Sequence, residues 1–318
     1  MTTTAQTTRS DRPHRSGIFV SAVLATLIVA APGVSTAKHY SSCGPAVAEV
    51  AVNSAQADGC PIESPDGLSL YFASTRPGAV GGATDANDIW VAHRAARDAA
   101  WTAPEHLPEP VNSAAADFCP TPLNGKWLLF VSARAVTGAC GLGDMYITRD
   151  NPARGWEMPT NLGCNATGAG PNFAGGEFSP SLVETAEGVL LYFSSSGLDG
   201  LDQDIYVSRM RSDGTFAPGT PVDEVNTAAN DQMPNVSRNG LEIVFSSDRS
   251  GTFGGMDVYT ARRATTRDPW SAPENIGPNV NTTASETRAS LSGDGERLHF
   301  GRLGDIHVST RAKLIGKD

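Results

Sequence analysis

Five times along the chain a Gly-containing turn gives way to a short run in which apolar and small or polar positions alternate. The turns are SPDG at Ser64, PLNG at Pro122, TAEG at Thr185, SRNG at Ser237 and SGDG at Ser292. The runs that follow are LSLYFAS, KWLLFVS, VLLYFSS, LEIVFSS and ERLHFGR, with Phe72, Phe130, Phe193, Phe245 or Phe300 as the aromatic anchor. Alternation with a period of two, enriched in aromatic and branched residues and led by a Gly turn, predicts a hairpin strand. After each run comes a second strand pattern: DIWVAHR, DMYITR, DIYVSR, DVYTAR or DIHVSTR. In four units WTAPEHL, WEMPTNL, FAPGTPV or WSAPENI then leads to the next unit.

Ahead of each turn stands a further pattern, as in VNTAANDQMP at Val225. An Asn (Asn53, Asn112, Asn165, Asn226, Asn281) precedes an acid (Asp58, Asp117, Glu177, Asp231, Glu286). Pro61, Pro120, Pro180 or Pro234 follows three residues after the acid, with Ala289 in the fifth unit. The acid comes five residues after the Asn in four units, and in the third the segment TGAGPNFAGG delays it. Four short antiparallel strands per unit, repeated every fifty to sixty residues, are the pattern of a β-propeller.

The repeat SPDG-x-x-LYF … DIW … W-x-x-P … VN resembles the WD40-like, TolB-type propeller repeat often called PD40. The resemblance implies an all-β, five-bladed β-propeller with units at about 53–111, 112–164, 165–225, 226–280 and 281–318 plus 43–52. The last unit stops after DIHVSTR, while GPAVAEVAVN near the start has no unit of its own. The N-terminal strand is therefore expected to close the last blade, removing two free sheet edges. The resemblance says little about activity, because one fold hosts many functions.

Residues 1–37 differ from the rest: Arg9, Arg12 and Arg15 precede the apolar run IFVSAVLATLIVAAPGV, which ends in Ser-Thr-Ala. This predicts a secretory signal peptide over 1–37 and a single propeller domain over 38–318. An uncleaved leader would be the sole membrane attachment. The net charge of -10 argues against a nucleic-acid partner, which needs clustered Lys and Arg. Export permits disulfides among Cys60, Cys119, Cys140 and Cys164, for instance Cys119–Cys140, though spacing leaves the pairing open. Cys43 is the expected odd thiol.

Candidate chemistry follows from the placement of the acids. Asp58, Asp117, Glu177, Asp231 and Glu286 should ring one mouth of the central channel, where mutual repulsion would raise pKa values or recruit Ca²⁺. Arg76, Arg134 and Arg249, each four residues after its Phe, and the Asp at each third strand should meet across strands or cap loop amides. The third unit departs most: Gly197 replaces the Arg, and its extra segment, expected over the channel mouth, offers Asn172 and Phe173 to a sugar-like ligand. Asp199, Asp202 and Asp204 in DGLDQD resemble part of a Ca²⁺ loop without its later Glu. His299 and His307 occupy aromatic packing positions. No H-E-x-x-H or G-x-S-x-G motif occurs. The expectation is an exported, non-catalytic module that binds an envelope or extracellular protein or glycan. The alternative is a glycan-cleaving propeller whose catalytic groups are the five mouth acids, since glycoside hydrolysis needs paired carboxylates.

Overall fold

The structure, a computed structural model, describes residues 40–80, 86–197 and 202–314. The first strand, β1, is Val47–Ala48. Blade 1 comprises β2 (Asp58–Glu63), β3 (Ser69–Ser74), β4 (Asp88–His93) and β5 (Glu105–His106). Blade 2 comprises β6 (Asp117–Leu123), β7 (Trp127–Ser132), β8 (Asp144–Asn151), a two-residue flank β9 (Gly155–Trp156) and β10 (Thr160–Asn161). Blade 3 has β11 (Glu177–Thr185), β12 (Gly188–Ser195), β13 (Asp204–Arg209) and β14 (Thr220–Pro221). Blade 4 has β15 (Asp231–Val236), β16 (Glu242–Ser247), β17 (Asp257–Arg262) and β18 (Glu274–Asn275). Blade 5 contributes β19 (Glu286–Leu291), β20 (Arg297–Arg302) and β21 (Asp305–Thr310).

The chain is a five-bladed β-propeller in which β1 completes blade 5, Val47 facing Val308 and Ala48 facing His307. The two ends of the described chain thus share one sheet, and Ser309 Oγ donates to Gly44 O at 2.6 Å to hold the seam. Cys43 is free and buried beside it, packed with Val244 and Phe300.

Adjacent blades bury their apolar faces against each other. All five anchor phenylalanines, Phe72, Phe130, Phe193, Phe245 and Phe300, are 0% exposed. One such interface packs Val183, Tyr192 and Ile205 of blade 3 against Val236, Ile243 and Phe245 of blade 4. A buried Phe is worth about 1.5–3 kcal/mol, so the repeated anchor is the largest apolar contribution a blade can place at one position.

Each innermost strand carries a β-bulge at its third and fourth residues. The third residues, Cys60, Cys119, Ser179, Met233 and Arg288, all have φ between 47° and 57°. This accounts for the repeated Pro: at a bulge the missing N–H removes no ladder bond.

A closed set of links joins neighbouring blades near the axis. Cys60 and Cys119 form a disulfide between blades 1 and 2. Thr121 Oγ1 donates to Pro180 O at 2.5 Å, and Val236 N donates to Ser181 Oγ at 2.9 Å. Leu291 N donates to Asn235 Oδ1 at 2.9 Å, and Ser290 Oγ donates to Pro61 O at 2.7 Å, closing the circle. Blade-to-blade continuity therefore rests on polar stitches as well as on apolar packing.

Candidate functional site

The acids that open β2, β6, β15 and β19 are tied up by their own blades. Asp58 accepts from Ser54 N at 2.6 Å, from Ser54 Oγ at 2.8 Å and from Arg76 Nη2 at 2.6 Å. Asp117 repeats this with Ser113 N, Ser113 Oγ and Arg134 Nη2 at 2.6, 2.7 and 2.7 Å. Asp231 does so with Thr227 and Arg249. In blade 5 a longer acid meets an Arg placed two residues earlier: Arg302 Nε lies 2.7 Å from Glu286 Oε1. All four carboxylates are fully covered, at 0% side-chain exposure. Each Arg also donates to the carbonyl of the buried Val that precedes the repeated Asn, at Val52, Val111, Val225 and Val280. It stacks as well on the anchor Phe, with Arg76 5.1 Å from the Phe72 centroid and 5.0 Å from the Trp90 centroid.

The Asn of each repeat binds the third strand of the preceding blade in both directions. Asn112 Oδ1 accepts from Ile89 N at 2.8 Å, while its Nδ2 donates to Ile89 O at 3.0 Å. Asn53, Asn226 and Asn281 do the same to Ile306, Ile205 and Val258. The repeated Asn and acid are therefore a splice between blades, and four of the five expected mouth carboxylates offer no open face to a substrate or cation.

Blade 3 corrects the sequence alignment. The residue that grips Met145 of the preceding blade is Asn172, with Met145 N donating to Oδ1 at 3.0 Å, and not Asn165. Asn172 stands five residues before Glu177, the spacing of the other units, so the extra residues precede the Asn. That segment lies in the connection between β10 and β11. It closes on itself, Asn165 N donating to Asn172 O at 2.6 Å, and its Gly168 carbonyl accepts from Arg211 at 2.8 Å. The Cys140–Cys164 disulfide anchors it, so the pairing Cys119–Cys140 is not formed.

Asn172 is 0% and Phe173 4% exposed, which removes both as ligand-facing residues. Phe173 packs on Phe193 and Tyr206, with centroids at 6.3 and 4.8 Å, as Arg stacks on the equivalent pair elsewhere. Glu177 accordingly has no counter-charge. It accepts only from Phe173 N at 2.9 Å and Ser195 Oγ at 3.0 Å, and burial pushes its carboxyl up to about 9. It is a neutral acid at pH 7.

The third-strand acids cap loops. Asp144 accepts from Cys140 N at 2.7 Å and Asn161 Nδ2 at 2.7 Å; Asp257 accepts from Phe253 N and Asn275 Nδ2 in the same way. No cluster of three metal-ligating side chains occurs among the described residues. Of the suggested Ca²⁺ loop, Asp199 lies outside the described residues, as does the whole of 1–37.

The concave site lies at the opposite mouth, where the innermost strands end. There a pocket of about 610 Å³ opens on the axis. Its floor includes Thr121, Ser181 and Asn235, the same residues that stitch the blades. Its wall carries Trp127, over which Arg149 stacks at 5.5 Å from the ring centroid, with Asn124, Glu184 and Arg238 at the rim. Glu63 also reaches it, held by Arg297 at 2.7 Å and Arg94 at 3.1 Å. The buried His299 lies 3.8 Å from Glu63, and His307 stacks on Phe300.

Sequence reasoning missed this pocket because its residues occupy turn and strand-end positions that differ from unit to unit. A usable signal was present: Trp127 is the aromatic residue of the second unit at a strand position held by Ser69, Leu190, Glu242 and Arg297 in the other units.

No family model matches the chain, and no curated protein matches it. Among solved structures it is similar to an α-L-arabinofuranosidase of Lactobacillus brevis, at 13% identity and TM-score 0.51, covering 83% of this chain and 92% of that one. It is also similar to the α-L-arabinofuranosidase of Podospora anserina solved with cellotriose, at 12% identity and TM-score 0.52, over 87% and 97% of the two chains. TolB of Acinetobacter baumannii matches at 14% identity and TM-score 0.46, over 83% and 56%. At these identities the likeness to the two arabinofuranosidases is one of fold.

Proposed function

We propose that the chain is an exported propeller, of the PD40 repeat type, that binds a glycan of the envelope or extracellular space in the axial pocket opposite the acid mouth. The observation that carries this reading is the pocket itself, a concavity of about 610 Å³ whose lining includes Trp127, Asn124, Glu184 and Arg238. That volume falls in the usual range for small-ligand sites, and a half-open Trp face flanked by amide, guanidinium and carboxylate groups suits a sugar ring. The leader pattern and the two disulfides support export. Binding of soluble oligosaccharides, measured by titration calorimetry, tests the reading. Trp127→Ala should weaken affinity about tenfold or more, roughly 1.4 kcal/mol. If no oligosaccharide binds, or if the variant binds like the wild type, the pocket is not a glycan site.

Glycan cleavage is the second reading, supported by Glu184 in the pocket lining; Glu63 lies there too but is held by Arg94 and Arg297, as the mouth acids are by theirs. It moves the catalytic question away from the mouth acids, four of which are neutralised by Arg. Turnover of arabino- or xylo-oligosaccharides by the wild type, lost in Glu184→Gln, would establish it. Binding without turnover would leave the non-catalytic module.

A further inference from the structure

Five side chains project from the bulges of the innermost strands, and four of them are uncharged: Cys60, Cys119, Ser179 and Met233. The fifth is Arg288, 1% exposed, in blade 5. Its guanidinium crosses the axis to blade 2, where Nη2 donates to Thr121 Oγ1 at 3.2 Å and approaches Pro120 O at 3.5 Å. Nε and Nη1 have no hydrogen-bond partner among the described residues.

Other buried arginines of the molecule have a carboxylate. Arg311 meets Glu242 at 2.7 Å, Arg94 and Arg297 share Glu63, and the mouth arginines each hold an acid. No carboxylate pairs with Arg288 among the described residues, and Glu177, the strand-opening acid of blade 3 that lacks an Arg, is held instead by Phe173 N and Ser195 Oγ. A guanidinium does not shed its proton near neutral pH, so a full positive charge is enclosed without compensation. Such a charge is among the costliest things a protein interior can hold. The two unpartnered nitrogens of that charge, with three N–H donors, define where a counter-ion would sit. Thr121 lines the axial pocket and accepts from Arg288, so one side chain separates the guanidinium from the pocket floor.

We propose that Arg288 is the centre of an axial anion site that takes one small monovalent anion, a halide or a compact carboxylate, through Nε and Nη1. The anion neutralises the enclosed charge and links blade 5 to blade 2 across the channel. The site does not depend on the glycan reading, since it concerns an ion and a different set of donors.

The test uses the full mature chain and sodium bromide, sodium chloride or sodium acetate against sodium gluconate at equal ionic strength. Bromide or chloride should raise the melting temperature by about 3–8 °C between 1 and 300 mM, the rise expected of a ligand bound only by the native state. Crystals soaked in bromide should show an anomalous peak within hydrogen-bonding distance of Arg288. Arg288→Met, which keeps the volume and removes the charge, should melt alike in all four salts. A rise in acetate alone assigns the site to a carboxylate rather than a free halide. Equal melting of the wild type in every salt together with an empty axis in bromide crystals overturns the proposal. So does a salt-specific rise retained by Arg288→Met. Should that variant not fold, the bromide map of the wild type decides alone.

Discussion

Blade 3 and the other four blades solve one packing problem in two chemistries. In blades 1, 2, 4 and 5 an acid, an Arg and an aromatic pair form the mouth, with the carboxylate paired to a stacked guanidinium. In blade 3 two positions change together: Gly197 takes the Arg position, and Phe173 takes the Ser or Thr position after the Asn. The ring of Phe173 fills the volume that Arg occupies elsewhere, and Glu177 loses its charge. Gly197 also cannot simply regain a side chain, since its φ is 61° and a Cβ would lie 2.3 Å from Tyr206 Oη. The comparison teaches that a repeated acid on a symmetric fold is not thereby a functional acid. Its partners decide whether it is a charge, a proton carrier or a structural acceptor.

The sharpest way to break this comparison is to strand one of the arginines. Asp231→Ala leaves Arg249 enclosed without its acid and should cost about 3–5 kcal/mol in denaturant unfolding. A loss below 1 kcal/mol would mean that the mouth pairs are ornamental.

A second experiment exploits the pH response of Glu177. Its folded-state pKa lies above the ordinary value of 4.5, so the group favours folding below pH 4.5 and that advantage is lost as pH rises toward about 9. Between pH 5 and 8 the wild type should lose up to about 1.4 kcal/mol per pH unit relative to Glu177→Gln, which cannot ionise. Parallel curves for the two proteins would show that Glu177 is ionised after all.

Asn172→Ala removes the two-way bond to Met145 and should cost about 1–3 kcal/mol, matching Asn112→Ala in blade 2. If Asn165→Ala proved the more damaging of the two, the assignment of Asn172 as the blade-3 splice would fall. The smallest effect is expected of Phe173→Leu, about 1–2 kcal/mol, because the Phe193 and Tyr206 rings can close over a smaller apolar group.

Much of the architecture was legible in the chain. Alternating runs with anchors at Phe72, Phe130, Phe193, Phe245 and Phe300 marked the strands, and the leftover pieces at both ends anticipated the closing pair Val47–Val308. Such features are local or recur with the period of the fold, so patterning alone reveals them. The candidate site was less legible. Asn165 drew the reading as the first Asn after the connecting segment, although Asn172 keeps the five-residue spacing to its acid, and the bond from Met145 N decides for Asn172.

What the sequence determined by itself was the number of blades, the placement of their strands and the way the ring shuts, because hydrophobic period and turn chemistry act over a few residues. What only the tertiary structure decided was which acids are neutralised, that Cys60 pairs with Cys119, and that Arg288 crosses the axis to Thr121. Those outcomes depend on distances between residues scores of positions apart, and electrostatics and burial are set by such distances rather than by order along the chain.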